Sequence, residues 1–193
     1  MPHLTVPQKM LWLVALFAMA AAVWLLPRAA PEGQTGFRPS FALPDTSGKL
    51  RDAAEFRGKY LLVFFGFTNC PDVCPTTLVE VGQVMDGLGD KAGLVQPVFI
   101  SVDPERDLQL GLGDYVQAFH PSILGLAGDQ RATRAAADSF KVYYSREADA
   151  AAAGYTMSHS PALYLVGPDG EWLRQFSYGT PAPEILKDLE SRP

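Results

Sequence analysis

Two cysteines four residues apart separate an apolar segment from a helical pattern, and this junction constrains the fold more than any other part of the chain. Residues 60–67 read YLLVFFGF, an apolar and aromatic run of strand length that predicts a strand buried on both faces. Residues 76–88 carry apolar side chains at the three- and four-residue spacing of a helix. The sequence therefore places Cys70 and Cys74 at a strand-to-helix turn.

Further strands and helices alternate along the rest of the chain. The patterns predict strands over residues 41–43, 98–102, 124–126, 162–166 and 172–176, and helices over residues 108–120, 129–140 and 183–189. The last two strands flank a Pro-Asp-Gly turn at residues 168–170, which indicates a hairpin. This order predicts an α/β sandwich, and with the cysteine segment it favours the thioredoxin-like type with an N-terminal extension.

Composition excludes several classes of function. A length of 193 residues leaves room for one ordinary domain. The formal net charge is −5 and no cluster of Lys and Arg is present, so we expect no nucleic-acid partner. Two cysteines in the whole chain exclude a scaffold held together by several disulfide bonds.

The N-terminal part of the chain contains a segment suited to a membrane. Residues 10–26 are 17 consecutive apolar residues, and a helix of this length measures about 26 Å, close to the thickness of the hydrocarbon core. A cleaved secretory signal is the alternative. We predict a short tail over residues 1–9, a single transmembrane helix over residues 10–26, a linker over residues 27–40 and the domain over residues 41–193.

Charges beside the apolar segment indicate its orientation. Lys9 precedes the segment and Arg28 follows it, and together with the α-amino group this gives a small positive excess on the N-terminal side. We therefore expect the domain on the outer side of the membrane. The N-terminal tail has no Arg-rich transit peptide, which favours the bacterial inner membrane with the domain in the periplasm.

The cysteine turn has the features of a reactive dithiol. Pro75 suits the first position of the helix, which places Cys74 near the N-cap and Cys70 one turn earlier. The positive end of the helix dipole lowers thiol pKa values and favours the thiolate, which binds metal or attacks disulfides. The spacing also allows a disulfide bond between the two cysteines. Two buried core cysteines without chemistry are the alternative.

A histidine is the candidate third ligand. Of the three histidines, His3 precedes the apolar segment and His120 ends a predicted helix. His159 lies in a polar segment, residues 155–161, which we predict to be a loop entering the strand over residues 162–166. In a thioredoxin-like fold this loop contacts the cysteine turn and often has a cis-proline, at about the place of Pro161. Two sulfurs and one imidazole suit Cu(I), whereas structural zinc takes four protein ligands.

Three motifs together resemble the Sco/SenC family. They are FGFTNCPDVCP at residues 65–75, SVDPERD at residues 101–107, and SHS at residues 158–160 before YLVGPDG at residues 164–170. The resemblance covers residues 41–189. It implies a membrane-anchored, thioredoxin-like metallochaperone that binds copper, as Cu(I) or Cu(II), and assembles the CuA centre of cytochrome c oxidase.

By position, the resemblance makes Cys70, Cys74 and His159 the copper ligands. The implied partners are the copper-site subunit of the oxidase and an upstream copper donor or thiol reductant. Ser158 stands where family members commonly have Asp, which puts in doubt a supporting role for that carboxylate, such as assistance in Cu(II) binding, but not the ligand itself.

Two enzymatic alternatives remain open. A thiol–disulfide oxidoreductase acting on oxidase cysteines would use Cys70 and Cys74 as its redox-active pair, with Cys70 attacking. Its usual motif has two intervening residues, whereas this chain has three. A peroxiredoxin-like peroxidase is suggested only by Thr68 near Cys70.

Two acidic residues and three aromatic residues near these motifs have simpler expected roles. We expect Asp103 or Asp107 to cap the next helix, with contact to a partner as the second interpretation. Phe64 and Phe65 are expected in the core, and Phe67 beside the site.

Overall fold

A sheet of five strands forms the centre of the domain. The computed structural model describes residues 36–149 and 154–192. Its strands are β1 (Ala42–Pro44), β2 (Leu50–Asp52), β3 (Tyr60–Gly66), β4 (Val95–Ser101), β5 (Leu124–Leu126), β6 (Tyr144–Asp149), β7 (Gly154–His159), β8 (Leu163–Val166) and β9 (Trp172–Phe176). The central sheet has the spatial order β5-β4-β3-β8-β9. Strands β3, β4 and β5 are parallel, and β8 is antiparallel to both β3 and β9.

Helices cover this sheet. They are α1 (Val73–Leu88), α2 (Pro104–Gln109), α3 (Leu112–Gln117), α4 (Gln130–Ser139) and α5 (Ala182–Glu190). Helix α1 contacts α5, α3 contacts β5, and α4 contacts β1. Every residue of β3 after Tyr60 is buried, so both faces of this strand are covered, as its continuous apolar run predicted. The predicted α/β class is confirmed.

The predicted helix over residues 108–120 is wrong. The chain forms two short helices instead, and Gly111 between them has a φ of 79°. Only glycine adopts this left-handed conformation at little cost, and it cannot occur inside a right-handed helix. Gly111 therefore ends one helix and begins the next.

The predicted loop over residues 155–161 is also wrong, because most of it belongs to a strand. Strands β6 and β7 pair antiparallel, and Tyr144 lies opposite His159. They form a two-stranded sheet that is separate from the central one. Strand β6 lacks the apolar alternation by which a strand is recognised, and β7 shows it only over residues 155–158. His159 is consequently the last residue of a strand.

The N-terminal predictions fall mostly outside the described residues. The predicted tail and anchor, and the linker up to residue 35, belong to this part. Within residues 36–149 and 154–192, none of the helices has the length and apolar character that a membrane span requires. The end of the predicted linker contacts the domain, since the Phe37 carbonyl accepts from the Trp172 N–H and Arg38 pairs with Glu171 at 2.8 Å.

Candidate metal centre

The cysteine turn connects β3 to α1. Helix α1 begins at Val73 with Asp72 at its N-cap, so the predicted N-cap at Cys74 is wrong by two residues. Pro75 is the third helical residue, where its missing N–H costs no helical hydrogen bond. The Cys74 N–H donates to the Sγ of Cys70 at 3.4 Å. Cys74 thus lies in the first turn of α1 and Cys70 lies just before the helix, about one turn earlier, as the spacing predicted.

His159 reaches the two cysteines from β7. Its Nε2 lies 3.6 Å from the Sγ of Cys74. The two sulfurs and a ring nitrogen of His159 all lie within 4.8 Å of one another. In the described part of the chain this is the one group of three or more His, Cys, Asp or Glu residues that could hold a metal ion. The three residues singled out in the sequence are therefore adjacent in the fold.

The imidazole is oriented by a hydrogen bond and by two aromatic rings. Its Nδ1 lies 3.1 Å from the carbonyl oxygen of Ser160, and because a carbonyl only accepts, Nδ1 carries the proton. The lone pair of neutral His159 is then on Nε2, which faces the sulfur. The rings of Phe64 and Phe67 meet the imidazole edge-on with centroids 5.8 Å away. Phe67 lies beside the site as expected, and Phe64 does so in addition.

The two thiols differ in their environment. Cys74 is 0% exposed, whereas Cys70 is only partly buried. A hydrogen bond from the Cys74 thiol lowers the pKa of Cys70; burial opposes this shift, and bonds from the backbone N–H groups of Asp72 and Cys74 add to it. Sharing that proton with Cys70, together with burial, raises the pKa of Cys74. In the reduced metal-free protein Cys70 is therefore the thiolate and Cys74 the thiol.

Gly66 contributes to the site, although sequence analysis did not single it out. A Cβ atom at this position would lie 2.8 Å from the Cys74 Sγ and 2.9 Å from the Phe99 ring. Glycine inside an otherwise apolar strand is a known signal of close approach by another group. The signal was therefore available in YLLVFFGF, but not the identity of the approaching atom.

The remaining candidates take other places. The side chains of Asp103 and Asp107 do not cap α2: Asp103 occupies the N-cap without a capping bond, and Asp107 is buried. Ser158 is exposed, and strand alternation directs it away from the face of His159.

No cis peptide bond occurs among the described residues, so the bond before Pro161 is trans.

The other two histidines lie apart from this group. The Nδ1 of His120 contacts the Ser122 hydroxyl at 2.7 Å, and its Nε2 lies 3.5 Å from Asp86. His3 lies outside the described residues.

Comparison with known proteins identifies relatives over most of the chain. A family model described as SCO1/SenC matches residues 29–192. The mitochondrial protein SCO2 homolog of Homo sapiens is 42% identical over 160 residues, which cover 82% of this chain and 59% of that protein. An SCO2-like protein of Rickettsia felis is 35% identical over 151 residues, 78% of this chain and 74% of that protein. The chain thus spans less than two thirds of the human relative's length.

Solved structures show the same fold. ScoI of Arabidopsis thaliana with copper bound is similar with a TM-score of 0.73 and 31% identity, covering 81% of this chain and 99% of that one. ScoI of Bradyrhizobium japonicum with copper bound has a TM-score of 0.71 and 36% identity, covering 80% of this chain and 98% of that one. From these matches and the fold, the chain is a member of the SCO1/SenC family with its thioredoxin-like α/β architecture.

Proposed function

We propose that this chain binds copper through Cys70, Cys74 and His159 and delivers it to the CuA centre of cytochrome c oxidase. The observation that carries the proposal is the convergence of two sulfurs and an imidazole nitrogen within 4.8 Å. The copper-bound relatives from Arabidopsis thaliana and Bradyrhizobium japonicum support copper as the metal. Membership of the SCO1/SenC family supports the role in oxidase assembly.

The donor set supports Cu(I) as the cargo, with Cu(II) as the second oxidation state. Soft thiolate ligands select Cu(I), and a structural zinc site takes four protein ligands. Partial exposure of Cys70 lets an incoming ligand reach the metal, while Cys74 stays covered. Copper can then pass by ligand exchange to cysteines of a partner.

The proposed partners are the copper-site subunit of the oxidase and an upstream copper donor or thiol reductant. We further propose that residues 1–9 form a tail, residues 10–26 anchor the chain in a bacterial inner membrane, and residues 27–40 link it to a periplasmic domain over residues 41–193. The apolar run and its flanking charges support this placement.

Titration of the reduced protein with Cu(I) against a competing chelator tests the metal site. We expect one Cu(I) per chain. Removing the imidazole in His159→Ala should lower the affinity by about tenfold or more, because a direct ligand is lost. His120→Ala is the matched control and should leave the affinity unchanged, since His120 belongs to no group of metal-binding side chains within residues 36–149 and 154–192. A His159→Ala affinity within about twofold of wild type, the change expected for an uncoupled residue, contradicts the three-ligand site.

Transfer to the partner requires its own experiment. Copper-loaded protein is mixed with a soluble copper-site domain of the oxidase, and the absorbance of the copper–thiolate centre is followed. We expect the centre to form from the loaded protein and not from the Cys74→Ala variant. Formation at the same rate from the variant contradicts the proposed delivery.

The difference in exposure of the two cysteines also favours a thiol–disulfide oxidoreductase as a second candidate. The Cys70 thiolate would attack a partner disulfide and form a mixed disulfide, with release of one partner thiolate. Cys74 would then attack the Cys70 sulfur, releasing the second partner thiol and leaving a Cys70–Cys74 disulfide. Two electrons and the single proton of the Cys74 thiol pass to the partner in total, so one partner sulfur leaves as a thiolate and the other as a thiol.

This second function does not require His159 as a ligand. Turnover of a disulfide substrate by the reduced protein therefore separates the two functions. The oxidoreductase predicts activity that persists in His159→Ala and a trapped mixed disulfide in Cys74→Ser. Absence of both the turnover and the trapped species excludes it.

A further inference from the structure

The SVDPERD segment, Ser101–Asp107, contacts both sides of the metal centre without supplying a ligand. It begins at the last residue of β4 and includes most of α2. One of its three carboxylates holds the turn that carries the cysteines, and a second holds the strand that carries His159. The proposed function leaves this motif without a role.

On the cysteine side, the contact is made by Asp107, which is 0% exposed. Its Oδ1 accepts hydrogen bonds from the Thr68 backbone N–H at 3.0 Å and from the Thr68 hydroxyl at 2.8 Å. Thr68 lies two residues before Cys70. Asp107 therefore anchors the turn between β3 and α1.

On the histidine side, the contact is made by Asp103 and Arg106. Asp103 is 2% exposed, and its Oδ1 accepts from the Tyr155 hydroxyl at 3.0 Å. Its Oδ2 lies 2.6 Å from the Nε of Arg106. Arg106 in turn donates from a terminal nitrogen to the Tyr155 carbonyl at 3.2 Å, with its guanidinium 4.2 Å from the Tyr155 ring. Tyr155 and His159 share one face of β7, because side chains four apart alternate back to the same side.

Ser101 joins the two sides. Its hydroxyl donates to Asp107 Oδ2 at 2.6 Å and accepts from the Asp103 N–H at 3.1 Å. The hydrogen bonds thus run without interruption from Thr68 to Tyr155. Buried polar networks of this kind rigidify the groups they connect.

The position of β7 depends on the polar contacts that Asp103 and Arg106 make with Tyr155. Strands β6 and β7 form their own two-stranded sheet and pair with no strand of the central sheet in the described part of the chain. An isolated hairpin is marginally stable. Met157 and Tyr144 are buried beneath the hairpin and stabilise its packing on the domain. Because apolar burial is non-directional, these contacts alone do not fix where β7 lies relative to the cysteine turn.

We infer that Asp103 and Arg106 are positioning residues that hold the strand of His159 at ligand distance from the cysteine turn. The inference rests on the proposed copper site. A double-mutant cycle tests it, with Arg106→Gln made in wild type and in His159→Ala. The Cu(I) affinity of the reduced protein is measured for all four chains.

In wild type, Arg106→Gln should lower the Cu(I) affinity by about tenfold, the usual effect of losing a group that orients a ligand. In His159→Ala it should lower the affinity by less than about twofold, because the residue it positions is gone. Arg174→Gln is the matched control: Arg174 pairs with Asp188 at 2.7 Å outside this network, and we expect no change in affinity. Equal losses in the two backgrounds, or no loss in wild type, overturn the inference.

A metal-free readout distinguishes this inference from the proposed function. In Arg106→Gln, amide hydrogen exchange over β7 should accelerate by about tenfold or more, while exchange in β3 should stay within about twofold. Tyr155→Phe removes only the hydroxyl that bonds to Asp103. It should also accelerate amide hydrogen exchange over β7, by a smaller factor than Arg106→Gln. If His159→Ala leaves Cu(I) affinity unchanged, the proposed copper site fails, and exchange alone decides whether Arg106 holds the strand. Unchanged exchange over β7 in both variants overturns the inference.

Discussion

The Sγ of Cys74 lies 3.6 Å from the Nε2 of His159, although 85 positions separate the two residues in the chain. The sulfur is buried in the first turn of a helix, and the imidazole ends a strand of a separate two-stranded sheet. Folding therefore assembles the site from two distant segments.

The two cysteines should differ strongly in their reactivity. In the reduced metal-free protein, iodoacetamide should modify Cys70 first and Cys74 very slowly, since the thiolate is on Cys70 and Cys74 is covered. Because the pKa of Cys70 is lowered, its rate should persist well below pH 8.5, about the ordinary value for a thiol. Mass spectrometry of timed digests measures both rates. The Cys70→Ser variant is the control, and equal labelling of the two cysteines would contradict this assignment.

Gly66→Ala should destabilise the fold. The added methyl group would lie 2.8 Å from the Cys74 Sγ, in a region without free space. We expect the free energy of unfolding to fall by about 1–3 kcal/mol, the usual effect of overpacking a core. Urea unfolding of the reduced metal-free protein measures this change. Gly93→Ala is the matched control, because a Cβ there meets nothing within 4 Å, and an equal effect of both substitutions would refute the steric explanation.

His159 should have one tautomer when its imidazole is neutral. The Ser160 carbonyl accepts from Nδ1 at 3.1 Å, so the proton should reside there and Nε2 should be unprotonated. Nitrogen-15 chemical shifts of the histidine ring at alkaline pH distinguish the two nitrogens. His120 serves as an internal reference. A proton found on Nε2 of His159 would mean that the nitrogen facing the sulfur has no free lone pair.

Asp107 should make the stability of the domain depend on pH. Burial raises the pKa of this carboxyl above its ordinary 3.8, and hydrogen bonds from Ser101 and Thr68 oppose the shift only in part. Between the pKa of this carboxyl in the unfolded state and its higher pKa in the folded state, the folded protein holds a proton that the unfolded chain has lost. The free energy of unfolding therefore falls as the pH rises from the first value to the second. Relative to Asp107→Asn, wild type should lose no more than about 1.4 kcal/mol per pH unit between the two pKa values.

Urea unfolding of wild type and Asp107→Asn at pH values from 4 to 7 checks this dependence. Asp114→Asn is a control, since the Asp114 carboxylate is exposed to solvent. A difference in stability between wild type and Asp107→Asn that grows in favour of wild type as the pH rises would contradict the sign.

Local patterns were sufficient for the cysteine turn. A continuous apolar strand followed by a helical repeat leaves few conformations for the eight residues between them, so both sulfurs had to lie near the first helical turn. The exact start of the helix was not predictable in the same way. Proline is tolerated throughout the first turn, so Pro75 is compatible with a helix that begins at Val73 as well as with one that begins later.

The SVDPERD motif shows the opposite case. An aspartate before Pro104 is typical of an N-cap, and Asp103 does occupy that position. Its side chain nevertheless bonds to Tyr155, which lies 52 residues away. No short-range pattern contains that partner, because it arrives on a strand whose polar sequence resembles a loop.

The sequence alone determined the candidate residues for the chemistry: two thiols at the start of a helix, and one histidine in a polar segment before a core strand. Tertiary structure decided how that histidine approaches, through the pairing of Tyr144 with His159 and the bonds beneath the hairpin. The physical reason is the separation along the chain between the residues that interact. Backbone geometry between neighbours is set by a few dihedral angles, whereas a contact across 85 positions exists only when the whole core between them has formed.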